Sequence, residues 1–196
     1  MLKTFLFCGV ESTGKTTAIE KTYTYLTNKG LKVKIVSEAG RDICEESGGV
    51  FEMTLLDYER ILHLHQTNFL KEFASKKYDV ILLDTDSTYT RYYLEKDIDL
   101  IKENPSLCNK LINLSEDIVK INLENKRITE IIYLNSDCPF VQDGTRTYES
   151  TRKDDDKTLH NLYIKGYKNI TVITGKDFKE RTNKIFEIIE KKISEN

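Results

Sequence analysis

The residues best equipped for chemistry lie close to the start of the chain. Gly9-Val10-Glu11-Ser12-Thr13-Gly14-Lys15-Thr16 fits Gly-x-x-x-x-Gly-Lys-Ser/Thr at every fixed position. Two glycines let a backbone curl until several N–H groups converge on one point, which suits a phosphate. A helix beginning at the end of such a loop adds unpaired N–H groups and the positive end of its dipole. Lys15 is long enough to reach the β- and γ-phosphates of a nucleotide, and the Thr16 hydroxyl suits Mg²⁺. At this chain's own residue frequencies the pattern arises by chance in roughly 1 of 100 such sequences. An ordinary glycine turn is the weaker reading.

Three carboxylates follow two apolar runs: Glu38 after Val33–Val36, then Asp84 and Asp86 after Val80–Leu83. Ligands of parallel sheets gather at the carboxyl ends of the strands, so all three are expected to face one crevice. Asp84 is the expected outer-sphere partner of Mg²⁺. Any of the three could act as general base on a substrate hydroxyl. For each aspartate the competing role is a cap on the next helix, with Ser87 as a rival cap. Arg41 either binds a substrate oxygen or pairs with Glu38.

A further charged stretch, Asp143-Gly144-Thr145-Arg146 followed by Arg152 and Lys153, holds two of the chain's seven arginines. Phosphoryl transfer spreads negative charge over the oxygens in flight, and arginines on a closing loop stabilise it. A solvated charged face is the alternative. His63 and His65 read as core or surface residues of a helix. Tyr89, Tyr92 and Tyr93 read as packing against a sheet rather than as a base-stacking platform.

These groups need a scaffold, and the apolar pattern supplies one. Short runs at Thr4–Cys8, Val33–Val36, Val80–Leu83, Ile131–Leu134 and Ile170–Ile173 read as five strands. Helical spacing marks Lys15 to about Asn28, closed by Gly30, and about Leu55 to Lys76. It also marks Pro105 to about Asn125 and Phe178 to about Ile193. The third strand is apolar at every position, as when both faces of a parallel sheet are covered. Strands alternating with helices give a parallel α/β fold. Residues 1–196 are expected to form one domain, with 140–160 as a lid segment.

Composition narrows the function. The 196 residues carry a net charge of −2 with 32% charged and 39% hydrophobic residues, which argues for a globular chain and against a generic nucleic-acid binder. No apolar run approaches the roughly 20 residues that span a bilayer, and the N-terminal run is too short for a signal peptide. Cys8, Cys44, Cys108 and Cys138 are scattered without metal-ligand spacing, so reduced thiols in a cytoplasmic protein without structural metal are expected. GTPase signatures are absent: Asp84-Thr85-Asp86-Ser87 and Asn125-Lys126-Arg127-Ile128 stand where Asp-x-x-Gly and Asn-Lys-x-Asp would be. Little chain remains for the extra helical domain of an AAA-type motor. A small-molecule kinase is left.

Four segments together carry a family likeness: Gly9–Thr16, Ser37-Glu38-Ala39-Gly40-Arg41, Asp84-Thr85-Asp86, and Pro139-Phe140-Val141-Gln142-Asp143-Gly144-Thr145-Arg146. In order and spacing the chain resembles the ribosylnicotinamide kinase domain of the NadR family. The resemblance implies a three-layer P-loop NTPase kinase fold with a five-stranded parallel sheet and a small lid. It implies an ATP- and Mg²⁺-dependent transfer to the 5′-hydroxyl of a nucleoside, nicotinamide riboside first. Gly9, Glu11, Ser12, Thr13, Gly14, Lys15, Thr16 and Thr17 would then hold ATP, and Thr16 and Asp84 the metal. Glu38, Arg41, Asp86 and Asp143 would meet the nucleoside, and Arg146 and Arg152 would close over the transfer. The resemblance departs in two places. The family's adenylyltransferase domain precedes its kinase domain, whereas here the loop begins at residue 9, so no adenylyltransferase activity is expected. Ala39 also replaces a frequent aromatic. A deoxynucleoside or nucleoside monophosphate acceptor, or a non-catalytic ATP-binding regulator, are the competing readings; the oligomeric state is left open.

Overall fold

Five strands run parallel in the order β2-β3-β1-β4-β5. They are β1 (Lys3–Cys8), β2 (Val33–Val36), β3 (Val80–Asp84), β4 (Glu130–Leu134) and β5 (Ile170–Ile173). The computed structural model describes residues 2–49, 52–141 and 150–195. Alternation along each strand sends side chains to opposite faces, yet along the three central strands β3, β1 and β4 both faces are almost wholly buried. Phe5, Phe7, Val80, Leu82, Ile132 and Leu134 pack under α1 (Lys15–Asn28) and α8 (Phe178–Ser194). Leu6, Cys8, Ile81, Leu83, Ile131 and Tyr133 pack on the other face with Phe69, Val119, Leu159 and Tyr163. The three-layer α/β expectation holds. The continuous apolar strands are what a sheet covered on both sides requires.

The remaining helices are α2 (Gly40–Glu46), α3 (Leu55–Ser75), α4 (Ser87–Lys96), α5 (Ile98–Glu103), α6 (Pro105–Glu124) and α7 (Arg152–Gly166). Local chemistry sets several of their starts. Thr54 caps α3 in a reciprocal box with Asp57, and Asn104 caps α6 with Pro105 in its first turn. Asp177 caps α8. The four helices marked by apolar spacing start at the expected residues and end within a residue or two of expectation. Periodicity does not mark α2, α4, α5 or α7, which are short or strongly polar. Within the stretch 140–160, expected as a lid segment, the chain becomes α7 from Arg152 onward, because Leu159 and Tyr163 bury one stripe of it completely.

Register brings the chemistry to one edge. Phe7 of β1 pairs with Asp84 of β3, so the glycine loop after β1 and the acidic tip of β3 leave the sheet side by side. β2 flanks β3 and delivers Glu38 beyond its end.

Candidate active site

Glycine is required at both fixed positions of the loop. Gly9 has φ +138°, and a side chain there would collide with the Leu134 carbonyl oxygen. Gly14 has φ +81°, and a Cβ would sit 2.8 Å from the Phe178 ring. Between them Ser12 takes the left-handed conformation at φ +58°, uncommon for a side chain with Cβ. The loop then runs straight into α1, whose first N–H groups have no carbonyl of their own helix to bond. Lys15 curls back over the loop, donating from Nζ to the carbonyls of Gly9 at 2.7 Å and Val10 at 3.0 Å. The Thr13 hydroxyl donates to the Val10 carbonyl at 2.9 Å, which commits that side chain to the loop itself.

A cleft of about 650 Å³ opens beside this loop. Glu11, Ser12, Thr13, Gly14, Lys15, Thr16, Thr17, Glu38, Arg41 and Asp84 all line it, whereas Gly9 does not. Burial pushes the Glu38 carboxyl up to about 7; Asp84 adds to the rise, while Lys15 and Arg41 oppose it. Asp84 is raised as well, by burial first, again against Lys15 and Arg41. Its Oδ1 is buried without a hydrogen-bond partner among the described residues. An unsatisfied carboxylate oxygen beside a phosphate-type loop and the exposed Thr16 hydroxyl suits Mg²⁺, which takes few protein ligands and keeps waters and phosphate oxygens. Among the described residues, no cluster of three His, Cys, Asp or Glu side chains could hold a metal by itself.

Two expected site residues are placed elsewhere. Asp86 does not line the cleft. It caps α4 by accepting from the Thr88 amide at 3.0 Å, and it accepts from the hydroxyls of Tyr163, at 2.8 Å, and Tyr167. In an extended chain Asp84 and Asp86, two residues apart, would face the same way; Thr85 between them takes φ +61°, which breaks that alternation. The N-cap is therefore Asp86 rather than Ser87. Arg152 is not a free lid arginine: its guanidinium is spent on backbone carbonyls of the glycine loop and of Cys138. Asp143 and Arg146 lie outside the described residues.

The structure also adds residues. His65, Tyr58, Tyr89, Tyr93 and Met53 line the cleft. Burial holds His65 down at about 4, so it stays neutral near pH 7. The Tyr93 hydroxyl donates to Glu11 at 3.3 Å and lies 3.2 Å from the Tyr89 hydroxyl; their rings meet edge to face. Tyr58, Ile61 and His65 belong to one stripe of α3, whose helical spacing by itself reads as core. The Tyr89/Tyr93 spacing of four is the available signal that both face one way.

Comparison with known proteins fits this geometry. Residues 4–181 match the AAA domain family AAA_28, and the chain belongs to that family. The matched residues begin in β1, take in the P-loop and the other four strands, and end in the first turn of α8. No curated protein matches the sequence significantly. Among solved structures, the fold is similar to NadR in complex with NR, at TM-score 0.73 and 16% identity, covering 99% of this chain and 50% of that one. The chain thus spans half the length of the NadR structures it matches. Thymidylate kinase from Ehrlichia chaffeensis gives 0.63 and 13%, covering 96% and 98%. Shikimate kinase from Acinetobacter baumannii gives 0.51 and 12%, covering 97% and 94%. The fold is similar to that of these kinases and of half of NadR. No described helix is long and apolar enough to cross a membrane.

Proposed function

We propose that the protein transfers the γ-phosphoryl group of ATP to the 5′-hydroxyl of a nucleoside, with nicotinamide riboside as the leading acceptor. The observation that carries this reading is the joining, in one cleft, of a phosphate loop with an acidic, tyrosine-lined end. Loop amides and Lys15 bind and orient the phosphates. Thr16 and Asp84 would hold Mg²⁺, which supplies charge neutralisation at the transferred phosphoryl oxygens. Glu38 is the base of choice: with its carboxyl raised to about 7 it can take the hydroxyl proton at neutral pH. Asp86 leaves that contest. Arg41 orients the acceptor from α2, and the Tyr89 and Tyr93 rings wall the base.

The cleft as a whole holds Glu11, Glu38, Glu45 and Asp84 against Arg41 and Lys15. That balance disfavours an acceptor that already carries a phosphate, hence a nucleoside over a nucleoside monophosphate. The likeness to NadR bound to NR supports nicotinamide riboside within that class. The test is ADP release from Mg·ATP across nicotinamide riboside, common ribo- and deoxyribonucleosides and nucleoside monophosphates, with products read by mass. Turnover only with nicotinamide riboside supports the reading. A deoxynucleoside or monophosphate product would replace the acceptor, and ATP binding without turnover across the panel would point to a regulator.

A further inference from the structure

We propose that Arg152 is the positioning residue of the phosphate loop, acting through the loop's peptide planes from behind and not on the transferred phosphoryl group. The inference rests on the nucleotide-binding part of the reading above and on no particular acceptor.

The geometry is specific. Arg152 opens α7, is only 8% exposed, and donates from Nε to the Glu11 carbonyl at 3.2 Å. Its two terminal nitrogens donate to the carbonyls of Ser12 at 3.0 Å and Cys138 at 2.8 Å. In a trans peptide the C=O and the following N–H point in opposite directions. Holding the Glu11 carbonyl backward therefore turns the Ser12 amide forward, and holding the Ser12 carbonyl turns the Thr13 amide forward. Ser12 and Thr13 both line the cleft. One guanidinium thus aims two adjacent amides of the anion-binding loop. Its fork of donors fixes angle as well as distance, as a lysine's single ammonium does not.

Ser12 also needs outside support, because its left-handed backbone is uncommon for a residue with a side chain. A second tie supplies part of it: the Val141 amide donates to Ser12 Oγ at 2.6 Å. Val141 and Arg152 therefore hold the same loop residue from two places in the chain. The Phe140 ring lies under the guanidinium, with 5.6 Å between the guanidinium carbon and the ring centre. All of these contacts lie behind the loop, and Arg152 does not line the cleft.

The experiment compares Arg152→Ala, Arg152→Gln and Arg152→Lys with wild type, by calorimetric binding of Mg·ADP and Mg·AMP-PNP, by kcat and both KM values, and by thermal unfolding. For the folded proteins, ADP and AMP-PNP affinity should fall alike in Arg152→Ala, by about 10- to 100-fold, the loss typical when the outer support of a binding group is removed. The acceptor KM should stay within about twofold, and Arg152→Lys should recover only part of the affinity. Should Arg152→Ala not fold, Arg152→Gln, which keeps more of the side chain's bulk and one NH₂ group but not the charged fork of donors, carries the same comparison. ADP affinity unchanged with kcat reduced would assign Arg152 to the phosphoryl group itself and overturn the proposal. Lower melting temperature with unchanged nucleotide affinity would make Arg152 merely structural and overturn it equally. Wild-type protein that does not bind Mg·ADP overturns the nucleotide reading as well as this inference, whereas normal wild-type binding with unaffected variants overturns the inference alone.

Discussion

One part of the cleft is walled by the loop of residues 11–17, its backbone shaped by Gly9 and Gly14. The other is walled by side chains, Glu38, Arg41, Tyr58, His65 and Tyr89, brought from three helices and a strand end; under the proposed function these are the phosphate end and the acceptor end. A backbone site demands particular φ values at particular positions, so its residue types are written in one contiguous segment. A side-chain site demands only that certain groups converge. Helices of different lengths can deliver them, and no local pattern is needed. The phosphate end is therefore rigid in kind, and the acceptor end is where one such fold can differ from another in substrate.

The largest effect should come at the phosphate end. Lys15→Ala removes the side-chain cation of the loop, and turnover should fall by at least about 10³-fold, the range for a cation meeting a transferring phosphoryl group. Steady-state ADP release checks it. A mutant keeping more than a tenth of wild-type activity would break the contrast, since the amides alone would then suffice.

Glu38 tests the acceptor end next. Glu38→Gln should lower kcat by about 10²-fold, the lower part of the range for a positioned base. Wild-type kcat/KM should rise with pH through about 7, as Glu38 loses its proton, and the variant should lack that rise. Stability runs the opposite way. A carboxyl near 4.5 in the unfolded chain and near 7 in the fold costs stability as pH climbs between those values. The cost is at most about 3 kcal/mol, and less where cleft water screens the charge. Melting curves of Glu38→Gln should therefore match wild type near pH 4.5 and lie above it at pH 8. Equal curves at both pH values would show that Glu38 is not strained in the fold.

The same contrast explains how much of the molecule is legible in its residues. The sheet, α1, α3, α6 and α8 are legible because burial on both faces leaves unbroken apolar strands and regular helical stripes. The phosphate loop is legible because Gly9 and Gly14 have no substitutes there. His65 is not, because a buried histidine on an apolar stripe looks the same whether the stripe meets the sheet or a cleft wall. Arg152 stands out as a scarce arginine, but its task does not. Nothing local distinguishes an arginine that reaches forward to a phosphate from one that reaches back to a carbonyl. α7 is hidden because its buried stripe is narrow and its first turns carry Asp154, Asp155 and Asp156.

Arg41→Ala should have a smaller effect, confined to the acceptor. Losing one charged hydrogen bond to a substrate oxygen raises the acceptor KM by about tenfold, with the ATP KM unmoved. Arg41 also holds down the Glu38 carboxyl, so the rise of activity with pH should shift to higher pH. Initial rates with each substrate varied in turn, at several pH values, separate the two consequences. An altered ATP KM would place Arg41 at the phosphate end.

Asp86 provides the finest distinction, because it stands two residues from Asp84 and does a different job. Its carboxylate caps α4 and accepts from Tyr163 and Tyr167 of α7 and the turn beyond it, joining the strand tip to the helix that carries Arg152 at its start. Asp86→Ala leaves two buried tyrosine hydroxyls and a helix N-terminus without acceptors, at a cost of about 2–3 kcal/mol. For a chain of this size the melting temperature should fall by about 5–10 °C. Below that temperature, kcat with the preferred acceptor should remain within about threefold of wild type, because no atom of Asp86 faces the cleft. Asp84→Ala should do the reverse, lowering turnover far more than stability, since it removes a raised carboxylate whose Oδ1 has no partner among the described residues. If the two variants exchange these signatures, the functional aspartate is Asp86, and the division between a functional and a structural aspartate on one strand tip must be reversed.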